Sequence, residues 1–262
     1  MEKFMFFKFA QNFIVALLCW LAIILSKNPL LASSEISEKA KDELFVLIEE
    51  YILKNPEIIL KAFKKLENKE LAEKKIREKQ IINENIKEIF HTNGKILNPE
   101  KNIIIVAFVD LNCAYCKKSD YEIRKILKLH KDIHYIIKHF PILGESSMLA
   151  ARASISIRLE EDFNVYLKFY NNLMMSKSKL SLTEIERIAV NSGANTDIMI
   201  RTLYTNKVDE IINANYKVGE MLGIAGTPTF IINGEIYRGH LEGYELEEII
   251  NTYRKRIQKK QS

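Results

Sequence analysis

The sequence predicts an α/β domain that is preceded by helices. First, residues 103–140 have the pattern of a strand, a helix and a second strand, which is a βαβ unit. Second, nine Gly and five Pro among 262 residues are about half the usual share of roughly 12%, which argues against a turn-rich all-β domain. Third, 47% of the residues are hydrophobic, which is enough for a buried core and excludes a disordered chain.

The first 32 residues are predicted to be a secretory signal peptide. Lys3 and Lys8 precede the apolar stretch Phe13–Leu25, which is shorter than the ~20 residues that span a bilayer as a helix. Cleavage after Ala32 fits this pattern, although Leu30 is larger than the residue usually found at its position. The protein is therefore expected to be exported, with an uncleaved membrane anchor as the alternative.

The three cysteines form two groups, a single residue near the N-terminus and a closely spaced pair in the middle of the chain. Cys19 lies within the apolar stretch and is interpreted as a hydrophobic residue that leaves with the signal peptide, whereas Cys113 and Cys116 remain. The formal net charge is +5, and Lys and Glu are interleaved along the helical stretches. Because no basic patch is interleaved with aromatic residues, nucleic acid is not expected as a partner.

Residues 33–97 are predicted to form a helical arm for oligomerisation. A first helix ends at Asn55-Pro56, and a second runs from Pro56 to about Phe90, apolar at both ends and charged in the middle. This pattern is typical of an arm or connector, and a helix packed on its own domain is the alternative. Asn93-Gly94 and Pro99 mark a linker. The first helix has one apolar stripe: Leu44, Leu47, Ile48, Tyr51 and Ile52.

Residues 98–262 are predicted to form the α/β domain. The run Ile103–Val109 is apolar and β-branched throughout, which is typical of a strand buried on both faces. Short helices are expected between about residues 144 and 220. The other expected elements are the helix Tyr121–Leu129, the strand His134–Phe140, the hairpin strands Thr229–Asn233 and Glu235–Arg238, and a closing helix from about Tyr244 to Arg256.

Cys113-Ala114-Tyr115-Cys116 falls where the buried strand gives way to a helix. At a helix N-terminus the unpaired N–H groups and the macrodipole stabilise an anion, so Cys113 is predicted to be the attacking thiolate. Cys116, one turn further on, is predicted to resolve a mixed disulfide. The pair therefore predicts redox chemistry.

Two other interpretations of the pair are a zinc site and a purely structural disulfide. A zinc site could use both cysteines with His130 and His134, whose spacing fits a Cys2His2 pattern. However, a continuous helix to Leu129 would place Cys116 and His130 roughly 20 Å apart, so no metal site is expected. A purely structural disulfide would contribute little, because a loop of two intervening residues hardly restricts the unfolded chain.

At this point the chain resembles the DsbA-like branch of the thioredoxin superfamily, the exported thiol:disulfide interchange proteins of bacteria. The resemblance covers about residues 98–258. It is carried by the helical insertion and by three segments: Phe108 to Lys117 around the cysteines, Pro141 to Ala153, and Gly223 to Phe230.

The resemblance implies a thioredoxin-like fold interrupted by a helical insertion at about 144–220, with residues 33–97 as N-terminal oligomerisation helices. It implies that Thr227-Pro228 is cis beside the cysteines and shapes the substrate groove. It also implies a periplasmic location, a homo-oligomer (trimer or dimer), a membrane redox partner of DsbB or DsbD type, and no cofactor.

Two departures from the resemblance bear on redox tuning. Many relatives have an acidic residue six positions before the first cysteine, where this chain has Ala107, and Asp110 should point elsewhere if the strand alternates. Strongly oxidising members have a His before the second cysteine, where this chain has Tyr115. The pair Ala114-Tyr115 is more similar to the Gly-Tyr pair of isomerase-type proteins.

The sequence therefore predicts an exported protein disulfide oxidoreductase that acts on unfolded or misoxidised exported proteins. Isomerase or reductase activity is favoured over oxidase activity. The alternative from a different class is a chaperone-like binding module in which the disulfide is incidental.

Overall fold

The structure is a computed structural model that describes residues 37–92, 95–100 and 102–261. The predicted signal peptide, Cys19 and the Asn93-Gly94 turn lie outside the described residues. The chain divides into two compact units, Met1–Glu67 and Asn68–Ser262. No helix among the described residues is both long and apolar enough to cross a membrane.

The first unit is helical over its described residues. Helix α1 (Glu38–Lys54) begins at Ser37, whose hydroxyl accepts a hydrogen bond from the Ala40 N–H at 3.3 Å. It ends at Asn55, as the Asn-Pro pair predicts, and helix α2 (Glu57–Glu84) follows and continues into the second unit. No residue of α1 is buried.

The predicted long helix is interrupted where the second unit begins to pack. Helix α2 ends at Glu84, Asn85 donates from its side chain to the Ile81 carbonyl at 2.8 Å, and α3 (Ile86–Phe90) follows. The short strands β1 (His91–Thr92) and β2 (Lys95–Ile96) then pair antiparallel where a linker was expected.

The second unit begins thirty residues before the domain boundary drawn from the sequence at residues 97 and 98. The apolar residues at the end of the predicted arm explain this difference. Ile82, Ile89 and Phe90 are buried in one cluster with Ile104 of the sheet. This part of the chain therefore fits the alternative of a helix packed on its own domain.

A four-stranded sheet lies at the centre of the second unit, in the order β4-β3-β5-β6. Strand β3 runs parallel to β4 and antiparallel to β5, which pairs antiparallel with β6. All seven residues of β3 are buried, as its continuous apolar run predicts. The strands are β3 (Ile103–Val109), β4 (Ile133–His139), β5 (Thr229–Ile232) and β6 (Glu235–Arg238).

Helices pack on both faces of the sheet because β3 presents alternate residues to two clusters. Ile105 and Ala107 lie in the larger cluster, with α4, α6 and α10, whereas Val106 and Phe108 lie in the smaller cluster, with α3 and α9. The helices are α4 (Ala114–Leu129), α5 (Glu145–Glu160), α6 (Phe163–Met175), α7 (Leu182–Ser192), α8 (Thr196–Thr202), α9 (Asn206–Met221) and α10 (Gly243–Gln261).

Candidate active site

Cys113 is the residue at which helix α4 begins. Strand β3 ends at Val109, and the next three residues bring the chain to Cys113, whose backbone is still extended. The Cys113 sulfur accepts a hydrogen bond from the Cys116 backbone N–H at 3.4 Å. The sulfur therefore caps one of the N–H groups that a helix leaves unpaired in its first turn.

This position favours the thiolate of Cys113. The pKa of the Cys113 thiol is lowered to about 6, first by a hydrogen bond from the Cys116 side chain and then by the backbone N–H groups of Cys116 and Tyr115, which together outweigh burial. Since each unit of pKa is a tenfold change, about ten thiolates exist per thiol at pH 7. Cys113 can thus attack a disulfide near neutral pH.

Cys116 has the opposite environment. Cys116 is 1% exposed. Burial, followed by the interactions with the neighbouring Cys113, raises the pKa of the Cys116 thiol far above the ordinary value. The two sulfurs form no disulfide in the structure. One sulfur is therefore poised as a thiolate and its partner is held as a thiol.

Thr227 and Pro228 come from a distant part of the chain and lie beside the first cysteine. The Thr227–Pro228 peptide bond is cis, as the resemblance implies. The Thr227 carbonyl oxygen lies 3.3 Å from the Cys113 sulfur. The structure thus brings together Cys113, Cys116, Thr227 and Pro228.

The two residues between the cysteines face solvent. Ala114 is exposed, and the Tyr115 side chain is 66% exposed. Of these two residues, Tyr115 acts on the Cys113 sulfur, and it does so through its backbone N–H rather than its side chain. The predicted redox tuning by these two side chains therefore stays a prediction.

Asp110 has a positional role that the sequence did not indicate. It is 1% exposed, and its carboxylate accepts hydrogen bonds from the N–H groups of Asn112, Ile142 and Leu143 at 2.8 to 3.0 Å. The carboxylate ties the loop before Cys113 to the loop after β4. A local pattern could not reveal this, because the second loop is some thirty residues away in sequence.

Lys117 is a second residue that the sequence did not single out. Its Nζ donates to the Ser176 carbonyl at 2.6 Å, which holds it next to the start of α4. Burial lowers the pKa of Lys117, while the charges of Asp110 and Cys113 act in the other direction. Its ammonium group therefore contributes positive charge close to the thiolate.

The geometry disfavours the zinc interpretation. Helix α4 is continuous from Ala114 to Leu129, so Cys116 lies in its first turn and His130 follows its far end. Within the described part of the chain, no three His, Cys, Asp or Glu side chains are grouped as metal ligands.

A cleft of about 860 Å³ runs along β4 and contains neither cysteine. His139 lines it, and burial lowers the pKa of this histidine to about 4, so it is neutral at pH 7. The thiolate site lies instead at the start of α4, where Cys113 is 7% exposed and is followed by the exposed residues Ala114 and Tyr115. The Cys113 sulfur is therefore largely covered but lies beside the protein surface.

The fold and the paired cysteines define a thioredoxin-type protein. A family model described as "Thioredoxin" matches residues 92–252. This is more than half of the chain, and the chain therefore belongs to that thioredoxin family, in its DsbA-like branch.

Solved structures show the same fold. The thiol-disulfide exchange protein alpha-DsbA2 from Wolbachia pipientis is 25% identical, with a TM-score of 0.62 over 69% of this chain and 97% of that one. A periplasmic thioredoxin-like protein from Salmonella enterica serovar Typhimurium is 27% identical, with a TM-score of 0.56 over 64% and 94%. ScsC from Proteus mirabilis, in a transitional conformation, is 25% identical, with a TM-score of 0.59 over 87% and 100%.

Curated relatives match over a shorter part of their own length. The Na(+)/H(+) antiporter NhaA 3 of Salinispora tropica is 21% identical over 53% of this chain. The chain spans about a fifth of that protein.

Proposed function

We propose that the chain is an exported thiol:disulfide oxidoreductase that acts on other exported proteins through Cys113 and Cys116. The observation that carries the proposal is the opposite environment of the two sulfurs: the pKa of Cys113 is lowered to about 6, and that of Cys116 is strongly raised. A purely structural disulfide does not require this difference. An exchange catalyst does, because one sulfur must attack while the other waits.

In the proposed reaction, the Cys113 thiolate attacks one sulfur of a client disulfide and displaces the other client sulfur as a thiolate. A mixed disulfide joins Cys113 to the client. Cys116 then attacks the Cys113 sulfur, and the client leaves with both cysteines reduced. Alternatively, another client cysteine attacks the client sulfur of the mixed disulfide, so that a new client disulfide forms, Cys113 leaves as a thiolate and the client is isomerised. In reverse, the Cys113–Cys116 disulfide oxidises a client dithiol.

The client is proposed to lie across Thr227 and Pro228. The Thr227 carbonyl is close to the Cys113 sulfur, and its backbone can pair with an extended client segment as an added strand. The two loops next to Cys113 offer apolar surface, because the nearby residues Tyr115, Ile142 and Leu143 are 66%, 39% and 54% exposed. This suits unfolded or misoxidised proteins, which expose apolar side chains.

Isomerase or reductase activity is preferred over oxidase activity. The supporting feature is the Ala114-Tyr115 pair, which lacks the cationic His of strongly oxidising relatives and should stabilise the thiolate less. The redox partner is proposed to be a membrane protein of DsbB or DsbD type, and the location periplasmic. The lysines before a short apolar stretch and the periplasmic Salmonella protein support this location.

Assembly with further copies of the chain is proposed for the first unit. In α1 the stripe residues Leu44, Leu47 and Tyr51 are 48%, 63% and 60% exposed. Most helical stability in proteins comes from packing of an amphipathic face, and burial of such a stripe against the same stripe of a second copy would stabilise α1. Leu47→Glu should lower the mass found by light scattering, whereas Glu49→Gln, on another face of α1, should not. An unchanged mass for Leu47→Glu would exclude assembly through this stripe.

Turnover of insulin and of scrambled ribonuclease tests the proposed reaction. Cys113→Ser should reduce both rates to background, and Cys116→Ser should trap the mixed disulfide on Cys113. Val190→Ser, at a 62% exposed position of α7, is the control, and its rates should equal those of the unmodified chain. If Cys113→Ser retained turnover, the proposal would be wrong; if it only continued to suppress aggregation, the chaperone-like alternative would be favoured.

A further inference from the structure

Two carboxylates are buried among the residues that the structure describes, and they differ in their partners. Asp110 and Asp120 are each 1% exposed. The Asp110 carboxylate is occupied by three backbone N–H groups of two loops. Asp120 has no such set of amides, and its charged partner is Arg124 on the same helix, with Nε at 2.8 Å from Oδ2.

Asp120 lies one helical turn beyond Cys116. Both residues belong to α4, four positions apart, and both face the interior, as does Ile123. Residues at this spacing lie on one face of a helix with their Cβ atoms about 5–6 Å apart. Asp120 and Cys116 therefore lie on adjacent turns of the interior face of α4.

The groups that face Asp120 are phenols and one guanidinium. Burial raises the pKa values of three tyrosines on β4 and α6, and the Asp120 charge raises them further. The Cys116 charge also acts on Tyr135. Burial raises the pKa of Asp120 itself, although the Arg124 charge opposes this. The carboxyl group can therefore take up a proton more readily than an exposed aspartate. The tyrosines are Tyr135, Tyr166 and Tyr170.

We propose that Asp120 accepts the proton of Cys116 during disulfide exchange and returns it in the reverse reaction. Asp120 is the buried carboxylate that shares a helix face with the buried thiol and accepts no hydrogen bonds from backbone amides. Ala107 offers no acid within β3, and Asp110 is engaged in holding two loops. The inference rests on the proposed function, since it concerns the resolving step of that reaction.

In the mixed disulfide between Cys113 and the client, the Cys116 thiol gives its proton to the Asp120 carboxylate, and the resulting thiolate attacks the Cys113 sulfur. The Cys113–Cys116 bond forms, the bond between Cys113 and the client breaks, and the client sulfur leaves with the electron pair. The protein is oxidised by two electrons and the client is reduced. In reverse, Asp120 protonates Cys116 as it leaves the disulfide.

The full chain and glutathione disulfide provide a test that needs no client protein. Rapid mixing resolves two steps: attack by Cys113, which forms a mixed disulfide with glutathione, and displacement of glutathione by Cys116. Asp120→Asn should slow the second step at pH 7 by about 100-fold, the lower end of general acid–base effects, and change the first by less than about twofold. Asp120→Glu should restore most of the second rate.

The pH profile separates proton transfer from a structural role. With Asp120, the second rate should rise through an inflection that belongs to the carboxyl group, and Asp120→Asn should lack this inflection. Denaturant unfolding of each variant monitors the Asp120–Arg124 ion pair. An Asp120→Asn protein that is less stable but has an unchanged second step and pH profile would overturn the proposal.

The test also distinguishes this inference from the proposed function. If the two glutathione steps respond to Asp120 as expected but client proteins are not turned over, the proposed function fails and the inference stands. If clients are turned over and the second step ignores Asp120, the inference fails alone.

Discussion

The two units of the chain treat the same type of residue differently. In the first unit Phe45 and Phe63 are each 68% exposed, whereas in the second unit Phe108 and Phe230 are completely buried. Burial of apolar surface is the main favourable term in folding. The second unit therefore carries its own core, whereas the described residues of the first unit leave large apolar side chains exposed.

The chemistry follows the same division. Both cysteines of the candidate site, the carboxylates of Asp110 and Asp120 and the cis Thr227–Pro228 bond all belong to the second unit. A helix that is packed against a buried sheet can fix the position of a thiol and shift its pKa, whereas no residue of α1 is buried. Stability and the candidate chemistry therefore belong to the second unit, and assembly is proposed for the first.

The largest expected effect is on the core of the second unit. Phe108→Ala should lower its free energy of unfolding by about 3–5 kcal/mol, because a fully buried aromatic ring is lost and a cavity is left. Phe45→Ala, the matched change in the first unit, should alter it by less than about 0.5 kcal/mol. Alkylation of the buried Cys116 in increasing urea reports unfolding of this unit alone. Equal effects of the two variants would break the comparison.

A smaller effect is expected at the buried carboxylate that joins two loops. Asp110→Asn should cost about 1.5–3 kcal/mol, because hydrogen bonds to a charged acceptor are replaced by weaker ones. Glu50→Gln removes an exposed ion pair with Lys54 in the first unit and should cost less than about 1 kcal/mol. The same urea series measures the effect of each variant on the second unit. A cost for Asp110→Asn no greater than that for Glu50→Gln would show that the tie between the loops is unimportant.

A further effect, which arises only in the reduced protein, concerns pH. Because the pKa of Cys113 is about 6 in the folded reduced protein and about 8.5 in an unfolded chain, the unfolded state binds more protons between these values. The free energy of unfolding of the reduced protein should therefore rise with pH from about 6 to 8.5. This contribution is lost as pH falls through 6.

Unfolding of the reduced chain at several pH values, minus that of Cys113→Ser, isolates the contribution of this thiol. His139 and the other titrating groups are common to both proteins and cancel in the difference. A difference that does not change with pH would mean that the fold does not stabilise the Cys113 thiolate.

The local features of the fold were predictable because they depend on local patterns. The bounds of β3 match the apolar run, and the Asn233-Gly234 turn joins β5 and β6 as predicted. The Ser181 hydroxyl likewise accepts a hydrogen bond from the Glu184 N–H at the start of α7, and Gly193 ends this helix in the left-handed conformation. In each case a few neighbouring residues determine the backbone conformation.

The features that were missed depend on contacts between distant segments. The sequence placed the end of α2 in an arm, because nothing local reveals that Ile82 and Phe90 pack against the sheet. It passed over Asp120 and Lys117, which are ordinary charged residues of an amphipathic helix until the fold buries Asp120 and half-buries Lys117. Asp110 acquires its partners only when β4 brings Ile142 and Leu143 to it.

The central claim is that the second unit holds Cys113 as a thiolate while Cys116 remains a thiol. Thiolate absorbance near 240 nm, followed against pH for the reduced full chain and for Cys113→Ser, tests it most directly. The expected result is a first ionisation with a pKa of about 6, absent from Cys113→Ser. A first ionisation near the ordinary cysteine value of about 8.5, or one that persists in Cys113→Ser, would contradict the claim.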